Sequence, residues 1–292
     1  MDALEIEDPA LAVDLTTPVR RARRLSLALV FALGWIAPLL ILAALAPVLP
    51  IPSPTDIDFL AKRAPPSFVH WLGTDNLGRD ELARLIWGAR TSLSVGLLAP
   101  VIGIVLGGAL GLFSGYFRGW CEGMVVGGMD VLLAFPPLVF ALAVTACLGQ
   151  SVPNIILVLG VLSIPAFTRV ARAATLSLAQ REFVTAARAL GATDARILLR
   201  ELLPNVAFPL LAFFLIVVAV TIVVEGALSF LGLGVPPPTP SWGIMIGEGR
   251  ETMEIAPRLA FMPAAAMFLT VLAFNIVGDA LRTVADPRQS AL

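Results

Sequence analysis

The sequence has few charged residues and few of the side chains on which metal sites and catalytic centres depend. Only 14% of its 292 residues are charged, whereas soluble domains average about 25%. Histidine occurs once, at His70, outside the long apolar runs. The two cysteines, Cys121 and Cys147, match no metal-binding or redox spacing. This shortage disfavours a soluble fold, leaves no metal site to predict and excludes a Ser/His centre within a membrane.

Lysine is almost absent, and this bears on the source of energy. ATP-driven pumping through a phosphate loop needs the pattern GxxxxGK[ST], whose lysine reaches the terminal phosphates. The only lysine, Lys62, stands in FLAKRAPP, which contains no glycine. We therefore expect no ATP hydrolysis by that route, no catalytic residue and no cofactor bound by this chain. The net charge of −1 gives no indication of nucleic acid.

Apolar residues, in contrast, make up 58% of the chain. A bilayer core about 30 Å thick requires roughly 20 mainly apolar residues per helix. Six runs approach this length, at residues 25–49, 92–117, 124–148, 154–170, 206–233 and 259–278. We predict an all-α integral membrane protein with about six transmembrane helices.

The distribution of arginine and lysine predicts the orientation. With the amino terminus in the cytoplasm, thirteen positive residues lie inside and seven outside, as the positive-inside rule requires. Residues 1–24 and 283–292 are then cytoplasmic tails, the first of them disordered. The core at 92–282 carries a cytoplasmic loop at 171–205, and the external segments are 50–91 and 235–258. The apolar run after the first arginines exceeds that of a cleaved signal peptide, which favours a signal anchor.

Proline and glycine occur within the apolar runs at positions that bear on how the helices bend and pack. Every run contains proline, which indicates either bent helices around a gated pathway or only the general abundance of proline in membrane helices. Gly103, Gly107, Gly111 and Gly115 recur every four residues and share one helix face. Such a face allows another backbone to approach closely, and packing within the subunit is favoured over contact with a partner.

Three acidic residues fall at membrane depth, where ionisable groups are costly and often functional: Asp130, Glu225 and Asp279. A proton-coupled carrier could use them. The alternative, which we favour, is a carboxyl group hydrogen-bonded to a neighbouring helix or placed near water at a helix end.

The cytoplasmic stretch REFVTAARALGATDARILLRELLPN, residues 181–205, has the pattern of two helices joined by a glycine turn. Gly191 breaks the first helix, and Thr193 or Asp194 can cap a second that ends before Pro204. A protruding helix pair of this kind can dock in a groove on a partner protein.

This stretch resembles the loop signature of the transmembrane subunits of binding-protein-dependent ABC importers, in which EAA, three residues, G, nine residues, I, any residue and LP follow one another. Ala186, Ala187, Gly191, Leu203 and Pro204 match at that spacing. Two positions depart from the signature, because Thr185 replaces its glutamate and Glu201 its isoleucine. Glu182, one helical turn earlier, is a candidate substitute for the missing glutamate.

The resemblance extends over most of residues 70–288. HWLGTDNLGRDELARLIWGARTSLSVGLL, AFPPLVFAL, LSFLGLGVPPPTPSWG and LTVLAFNIVGDALRTVADPR are similar to blocks of the second permease of dipeptide, oligopeptide and nickel importers. It implies the transmembrane architecture of a type I importer in the bacterial inner membrane. It further implies a second, different permease, two ATPase subunits that bind ATP and magnesium, and an external solute-binding protein.

On this resemblance the ATPase-coupling residues are those of the cytoplasmic stretch: Glu182, Thr185, Ala186, Ala187, Arg188, Gly191, Asp194, Leu203 and Pro204. Two external blocks each have two interpretations. The first comprises Gly73, Thr74, Asp75, Gly78, Arg79 and Asp80. It is either a contact with a partner or a turn with a helix cap. PPPTPSWG is either a contact with the binding protein or a rigid cover in which Trp242 anchors at the membrane interface.

The transported substrate stays open at this point. Peptides lead, and nickel complexes or other small solutes are the alternative within the same class. A proton-coupled single-chain carrier that uses Glu225 and a membrane scaffold without transport activity are the alternatives from other classes. The absence of an internal repeat gives no support to a carrier built from two inverted halves.

Overall fold

The computed structural model describes residues 26–285, and helices dominate this part of the chain. The tail expected at 1–24 and residues 286–292 of the second tail lie outside the described residues. The helices are α1 (Leu27–Leu45), α2 (Glu81–Ile102), α3 (Gly108–Phe117), α4 (Gly119–Leu133), α5 (Pro137–Leu148), α6 (Val152–Leu178), α7 (Glu182–Ala189), α8 (Asp194–Arg196), α9 (Leu203–Phe230), α10 (Trp242–Arg250) and α11 (Arg258–Ala285).

Two π-helical turns join neighbouring helices into longer rods. Gly103–Gly107 connects α2 to α3, and Ile197–Leu202 connects α8 to α9. Five continuous helices are then long and apolar enough to cross a membrane: Leu27–Leu45, Glu81–Phe117, Val152–Leu178, Asp194–Phe230 and Arg258–Thr283. The pair α4 and α5 supplies a sixth crossing if the two are counted together. The prediction of an all-α membrane protein with about six spans is confirmed.

The third predicted span, 124–148, is not one straight helix. Its two halves, α4 and α5, meet at an angle of 80°. Pro136 and Pro137 stand at the break, and Pro136 has an extended backbone (ψ 124°) that no helix interior accommodates. The other span prolines, at positions 38, 100, 165, 209 and 263, lie inside helices. Only the paired prolines break a span in the described residues.

Three predicted boundaries were wrong, because helices continue beyond the predicted limits. The second span begins at Glu81 rather than at residue 92, because Asp80 caps it by accepting from the backbone N–H of Ala83 (2.7 Å). The fourth continues to Leu178. The helix after Gly191 does not end before Pro204 but runs on into α9. The preceding π turn rearranges the hydrogen bonding where proline offers no donor.

The glycine face, which runs along the π turn Gly103–Gly107 and α3, packs against α6, as predicted for packing within the subunit. A Cβ atom at Gly107 would lie 2.5 Å from the carbonyl oxygen of Ile164, and one at Gly111 would lie 2.6 Å from the Cβ of Ala171. Side chains at these positions would force the two helices apart. Without a hydrophobic driving force between helices in lipid, such close contact is a main source of association.

The two ends of the bundle can be told apart by the short helices that they carry. At the α10 end, Trp242 donates from its indole Nε1 to the carbonyl oxygen of Leu85 near the start of α2 (3.2 Å). At the α7 end, Tyr116 in the last turn of α3 contacts Asp194. Arg90 near the start of α2 bonds the carbonyl of Ala44 near the end of α1, and α11 starts beside the external segment. Leu27 and Ala285, the outer ends of α1 and α11, therefore both lie at the α7 end.

Candidate functional site

The segment predicted to couple to an ATPase is a helix, a turn and a second helix at the α7 end. The helix α7 ends at Ala189, Leu190 caps it, and Gly191 follows with a left-handed φ of +79°. The N–H of Ala192 bonds the carbonyl of Ala187, and that of Gly191 bonds the carbonyl of Arg188 (both 3.0 Å). These two bonds make a Schellman ending, for which glycine is the favoured residue. The predicted glycine turn is therefore present.

Thr193 begins the next helix, as one of the two predicted caps. Its side chain accepts from the backbone N–H of Arg196 (3.4 Å), which satisfies a donor that the first turn leaves free. Asp194, the other candidate, has a different task. Its Oδ1 accepts a hydrogen bond from the Tyr116 hydroxyl at 2.5 Å.

Tyr116, the only tyrosine of the chain, fixes the coupling segment to the end of α3. Besides donating to Asp194, its hydroxyl accepts from Nη2 of Arg188 (3.3 Å). This bond raises the pKa of Arg188 above its usual value. One hydroxyl thus bridges both sides of the glycine turn. Sequence reasoning missed Tyr116, because it lies 78 positions before Asp194 along the chain.

Most of α7 faces away from the rest of the chain. Val184 is fully buried and packs in the cluster that contains Ile197 and Leu202. Ala186 and Arg188 are exposed, and the apolar Leu190 is 89% exposed at the tip. The helix therefore presents an uncovered surface with an apolar tip on a firmly held base.

The residues that depart from the importer signature lie on different helices. Glu182 and Thr185 are both exposed on α7, one turn apart. Glu201 is half-buried in the π turn, where its carbonyl accepts from Asn205 (2.6 Å). Leu203 and Pro204 are exposed in the first turn of α9. Glu182 can therefore present a carboxylate on the same helix as Thr185, whereas Glu201 belongs to the span below it.

The external block at residues 73–80 forms a turn followed by a helix cap, and its contact with a partner stays a prediction. Asp75 Oδ1 accepts from the backbone N–H groups of Leu77 (2.8 Å) and Arg79 (2.9 Å). Gly78 has φ +82°, and a Cβ there would overlap the backbone of Asp58. His70 Nδ1 lies 2.9 Å from Oδ2 of the capping residue Asp80. Thr74, Asp75, Arg79 and Asp80 are buried, so their side chains act inside this subunit.

Four of the charged side chains at the α10 end form one cluster, which we call the charge cluster: Asp75, Arg79, Arg84 and Glu248, of which only Glu248 is partly exposed, at 35%. Glu248 Oε2 accepts from Arg79 Nη2 (2.8 Å) and from Arg84 Nη2 (2.7 Å). Arg79 Nε in turn donates to Asp75 Oδ2 (2.5 Å). Both arginines are at most 6% exposed. The cluster joins the external turn and α2 to α10, and sequence analysis had not connected Glu248 with the turn.

Trp242 does not anchor at a membrane interface, contrary to one of its predicted roles. Its side chain is fully buried between α2 and α10, where Nε1 donates to Leu85. Ser241, the residue before it, caps α10 by accepting from the N–H of Ile244 (3.3 Å). This tryptophan therefore fills the core at the α10 end and is not a surface contact.

The three acids at membrane depth have three different environments. Glu225 is fully buried, and its two oxygens accept from the hydroxyls of Ser92 (2.8 Å) and Ser229 (2.7 Å). Asp130 pairs with Arg169 at 3.0 Å, so a basic partner exists that the sequence analysis had not assigned. Asp279 is exposed near the end of α11. Glu225 joins α2 to α9, which matches the preferred interpretation of a hydrogen-bonded carboxyl group.

Comparison with known proteins identifies the class to which this architecture belongs. Residues 103–291 match the family described as binding-protein-dependent transport system inner membrane component. This match spans more than half of the chain, and the chain belongs to that family of multi-pass permeases in ABC importers of the bacterial inner membrane. Members of the family are transport subunits without catalytic activity of their own.

Individual relatives show which permeases of this family the chain is similar to. The chain is 43% identical over 270 residues to the glutathione transport system permease protein GsiD of Escherichia coli O6:K15:H31 (strain 536 / UPEC), covering 92% of this chain and 89% of the relative. It is 44% identical, with the same coverage, to GsiD of Shigella flexneri serotype 5b (strain 8401).

Solved structures agree on the fold. A chain of the MetNI methionine ABC transporter in an inward-facing conformation superposes with a TM-score of 0.57 at 17% identity, covering 70% of this chain and 96% of that one. A second crystal form of the same transporter gives 0.56 at 16% identity. The predicted type I importer architecture is confirmed.

Proposed function

We propose that this permease forms half of the translocation pathway of an importer for glutathione or other small peptides. The other half is a second, different permease, an external solute-binding protein delivers the substrate, and two ATPase subunits bind ATP and magnesium. The relatives named as glutathione permeases support the substrate class, because they align over nearly the whole length of both chains.

The observation that carries the proposal is the exposed helix α7 on its fixed base. Val184 and Tyr116 hold the segment to the bundle, whereas Arg188 and Leu190 face outwards. An amphipathic helix of this kind fits a groove on a partner. We assign that groove to the ATPase subunits, so that closure of the ATPases moves α7 and, through Tyr116, the end of α3.

The arrangement of helix ends supports a cytoplasmic location for both termini. Leu27 and Ala285 lie at the α7 end together with the coupling segment, and the bent pair α4–α5 completes an even number of crossings. The arginine bias places this same end inside. The charge cluster and α10 then face the solute-binding protein outside.

A proton-coupled carrier centred on Glu225 is the weaker alternative. Both oxygens of that carboxyl group are engaged by serine hydroxyls, and the residue is fully buried between helices. We therefore expect Glu225→Gln to change the stability of the permease more than the dependence of uptake on a proton gradient.

Uptake by cells that lack their own glutathione and dipeptide importers tests the substrate class. The permease is expressed with its neighbouring transport genes, and uptake of labelled glutathione, a dipeptide and a nickel complex is compared. We expect ATP-dependent uptake of glutathione or the dipeptide. Transport of nickel alone would contradict the peptide assignment but not the permease function.

A second experiment tests the docking surface. Single cysteines at Leu190 and, as a control, at Phe268 are introduced after Cys121 and Cys147 have been replaced by serine. Both positions are strongly exposed, at 89% and 64%. Only the cysteine at 190 should form cross-links to an ATPase subunit, and cross-linking from 268 alone would contradict the assignment.

A further inference from the structure

An ion pair stands uncovered on the membrane-level surface that α4 and α6 share. Arg169 Nη2 lies 3.0 Å from Asp130 Oδ1, and the two side chains are 61% and 58% exposed. Arg169 lies in the interior of α6, and Asp130 lies in the last turn of α4, where the apolar residues 131–133 follow it. The end of α4 is the 80° break within the bent pair α4–α5, so Asp130 lies inside the run that is counted as a sixth crossing.

Three other charged side chains of the spans, Glu225, Arg172 and Glu122, are better covered by this chain. Glu225 is fully buried and held by serine hydroxyls. Arg172, one turn after Arg169, pairs with Glu122, and these two side chains are only 32% and 25% exposed. Charged side chains at membrane depth face a bundle interior or a water-filled cavity, because exposure to hydrocarbon is unfavourable. The exposed pair therefore does not face lipid.

The surrounding surface is sparsely packed against the rest of the described chain. Helix α4 contributes no buried residue, and the helix α5 buries only Ala141 and Thr145. Nothing in the described residues lies within 4 Å of a Cβ placed at Gly123, Gly127 or Gly128. In a complex of two permeases the pathway runs between the facing subunits, and this open face with its charges has the character of a pathway wall.

We propose that Asp130 and Arg169 line the translocation pathway and bind the charged ends of a zwitterionic peptide as it passes. Asp130 takes the ammonium group and Arg169 the carboxylate. The inference rests on the proposed function, since it assumes a peptide substrate and a second permease.

The geometry suits a transient site. One contact joins the pair, between Nη2 and Oδ1, whereas a guanidinium group can bind a carboxylate through two parallel hydrogen bonds. When a zwitterionic peptide arrives, Arg169 exchanges the carboxylate of Asp130 for the carboxylate of the peptide. Asp130 exchanges the guanidinium group of Arg169 for the ammonium group of the peptide. Every charge has a partner of opposite sign before and after the exchange. Neither binding nor release therefore has the free-energy cost of an unpaired charge.

Thiol labelling tests whether the face is aqueous. In the assembled complex, with Cys121 and Cys147 replaced by serine, Arg169→Cys is compared with Phe268→Cys on α11, an exposed position among apolar residues. A thiol in apolar surroundings stays protonated and unreactive, so a charged, membrane-impermeant reagent should label position 169 about tenfold faster or more. Equal rates would overturn the pathway assignment.

Uptake of end-capped peptides tests the contact with substrate. A dipeptide, its carboxyl-terminal amide and its acetylated form are each supplied at concentrations that saturate the solute-binding protein. The native complex should transport the free dipeptide better than either capped form. A preference of about tenfold for the free dipeptide over its amide should be lost in Arg169→Gln. A preference of about tenfold for the free dipeptide over the acetylated form should be lost in Asp130→Asn.

Arg172→Gln is the matched control, because it removes a neighbouring arginine whose ion pair is covered. It should leave both preferences intact. Equal losses for all three peptides in the Asp130 and Arg169 variants would assign the pair a structural role and overturn the proposal. If the native complex transports no peptide at all, the proposed function fails, while labelling at position 169 still decides whether this face is aqueous.

Discussion

At the scale of single residues, Gly191 sets the shape of the coupling segment through its backbone alone. Its φ of +79° is unfavourable for residues with a Cβ atom, while nothing in the described residues lies within 4 Å of where that atom would be. A substitution here therefore acts through backbone conformation and not through a steric clash with another helix.

This separation gives a graded prediction for two variants at Gly191. Asparagine tolerates the left-handed region and should retain most coupling, whereas the β-branched valine should not. We expect Gly191→Val to raise the ATP hydrolysed per molecule transported several-fold, and Gly191→Asn to stay near the native ratio. The measurement is ATPase activity against uptake in proteoliposomes, and equal ratios in both variants would exclude a role for this backbone conformation.

Tyr116 provides the second prediction at this scale. Tyr116→Phe removes the hydroxyl that joins Asp194 and Arg188 but retains the ring. The loss of hydrogen bonds worth about 1 kcal/mol each should loosen the segment without unfolding the bundle. We expect unchanged expression and thermal stability with a raised ratio of ATP hydrolysed to substrate transported. An unchanged ratio would mean that Tyr116 does not transmit the movement.

Residues whose partners are local were predictable from the sequence, and those with distant partners were not. The turn at Gly191 and the cap at Thr193 depend on neighbours within a few positions. The link from Arg84 to Glu248 spans 164 positions and that from Tyr116 to Asp194 spans 78. Nothing in the sequence near one residue of such a pair indicates its distant partner. Trp242 was assigned to the surface for the same reason, because its partner Leu85 is distant along the chain.

At the scale of helices, the contact of the glycine face, on the π turn and α3, with α6 holds the middle of the bundle together. Gly107→Leu would place a side chain against the backbone of Ile164, where a Cβ atom alone already approaches to 2.5 Å. Overpacking of this kind costs about 1–3 kcal/mol or more. We expect a clear loss of thermal stability in detergent.

Gly34→Leu in α1 is the control for this variant, since no atom beyond the backbone of its own helix lies within 4 Å of a Cβ at Gly34. It should leave the melting temperature almost unchanged. Equal destabilisation by the two substitutions would show that helix propensity or insertion, and not the contact between α3 and α6, determines the effect.

The existence of the spans could be predicted, because the length of each apolar run can be counted in the sequence. The shape of the spans could not be predicted. Hydropathy contains no information on the direction of a helix axis. The 80° bend at Pro136 and Pro137 was therefore missed, because it lies within one apolar run. The polar first turns of α2 were missed for a related reason, since Glu81 and Arg84 are buried only in the folded chain, where Arg84 pairs with the distant Glu248.

At the scale of the whole molecule, the two ends of the bundle have different tasks. The α10 end is well packed, with buried charges, a buried tryptophan and two capped helices. The α7 end presents an exposed helix, and α4 and α5 leave one side of the membrane region open. A subunit with one well-packed end, one docking end and one open side is well suited to a larger assembly.

The most direct test of this account is uptake by purified complexes in proteoliposomes. The permease is reconstituted alone or with its second permease and ATPases, and loaded solute-binding protein is supplied on one side with ATP or a proton gradient. We predict ATP-dependent uptake by the full complex and none by the permease alone under either energy source. Uptake by the isolated chain, driven by the proton gradient and abolished in Glu225→Gln, would contradict the account.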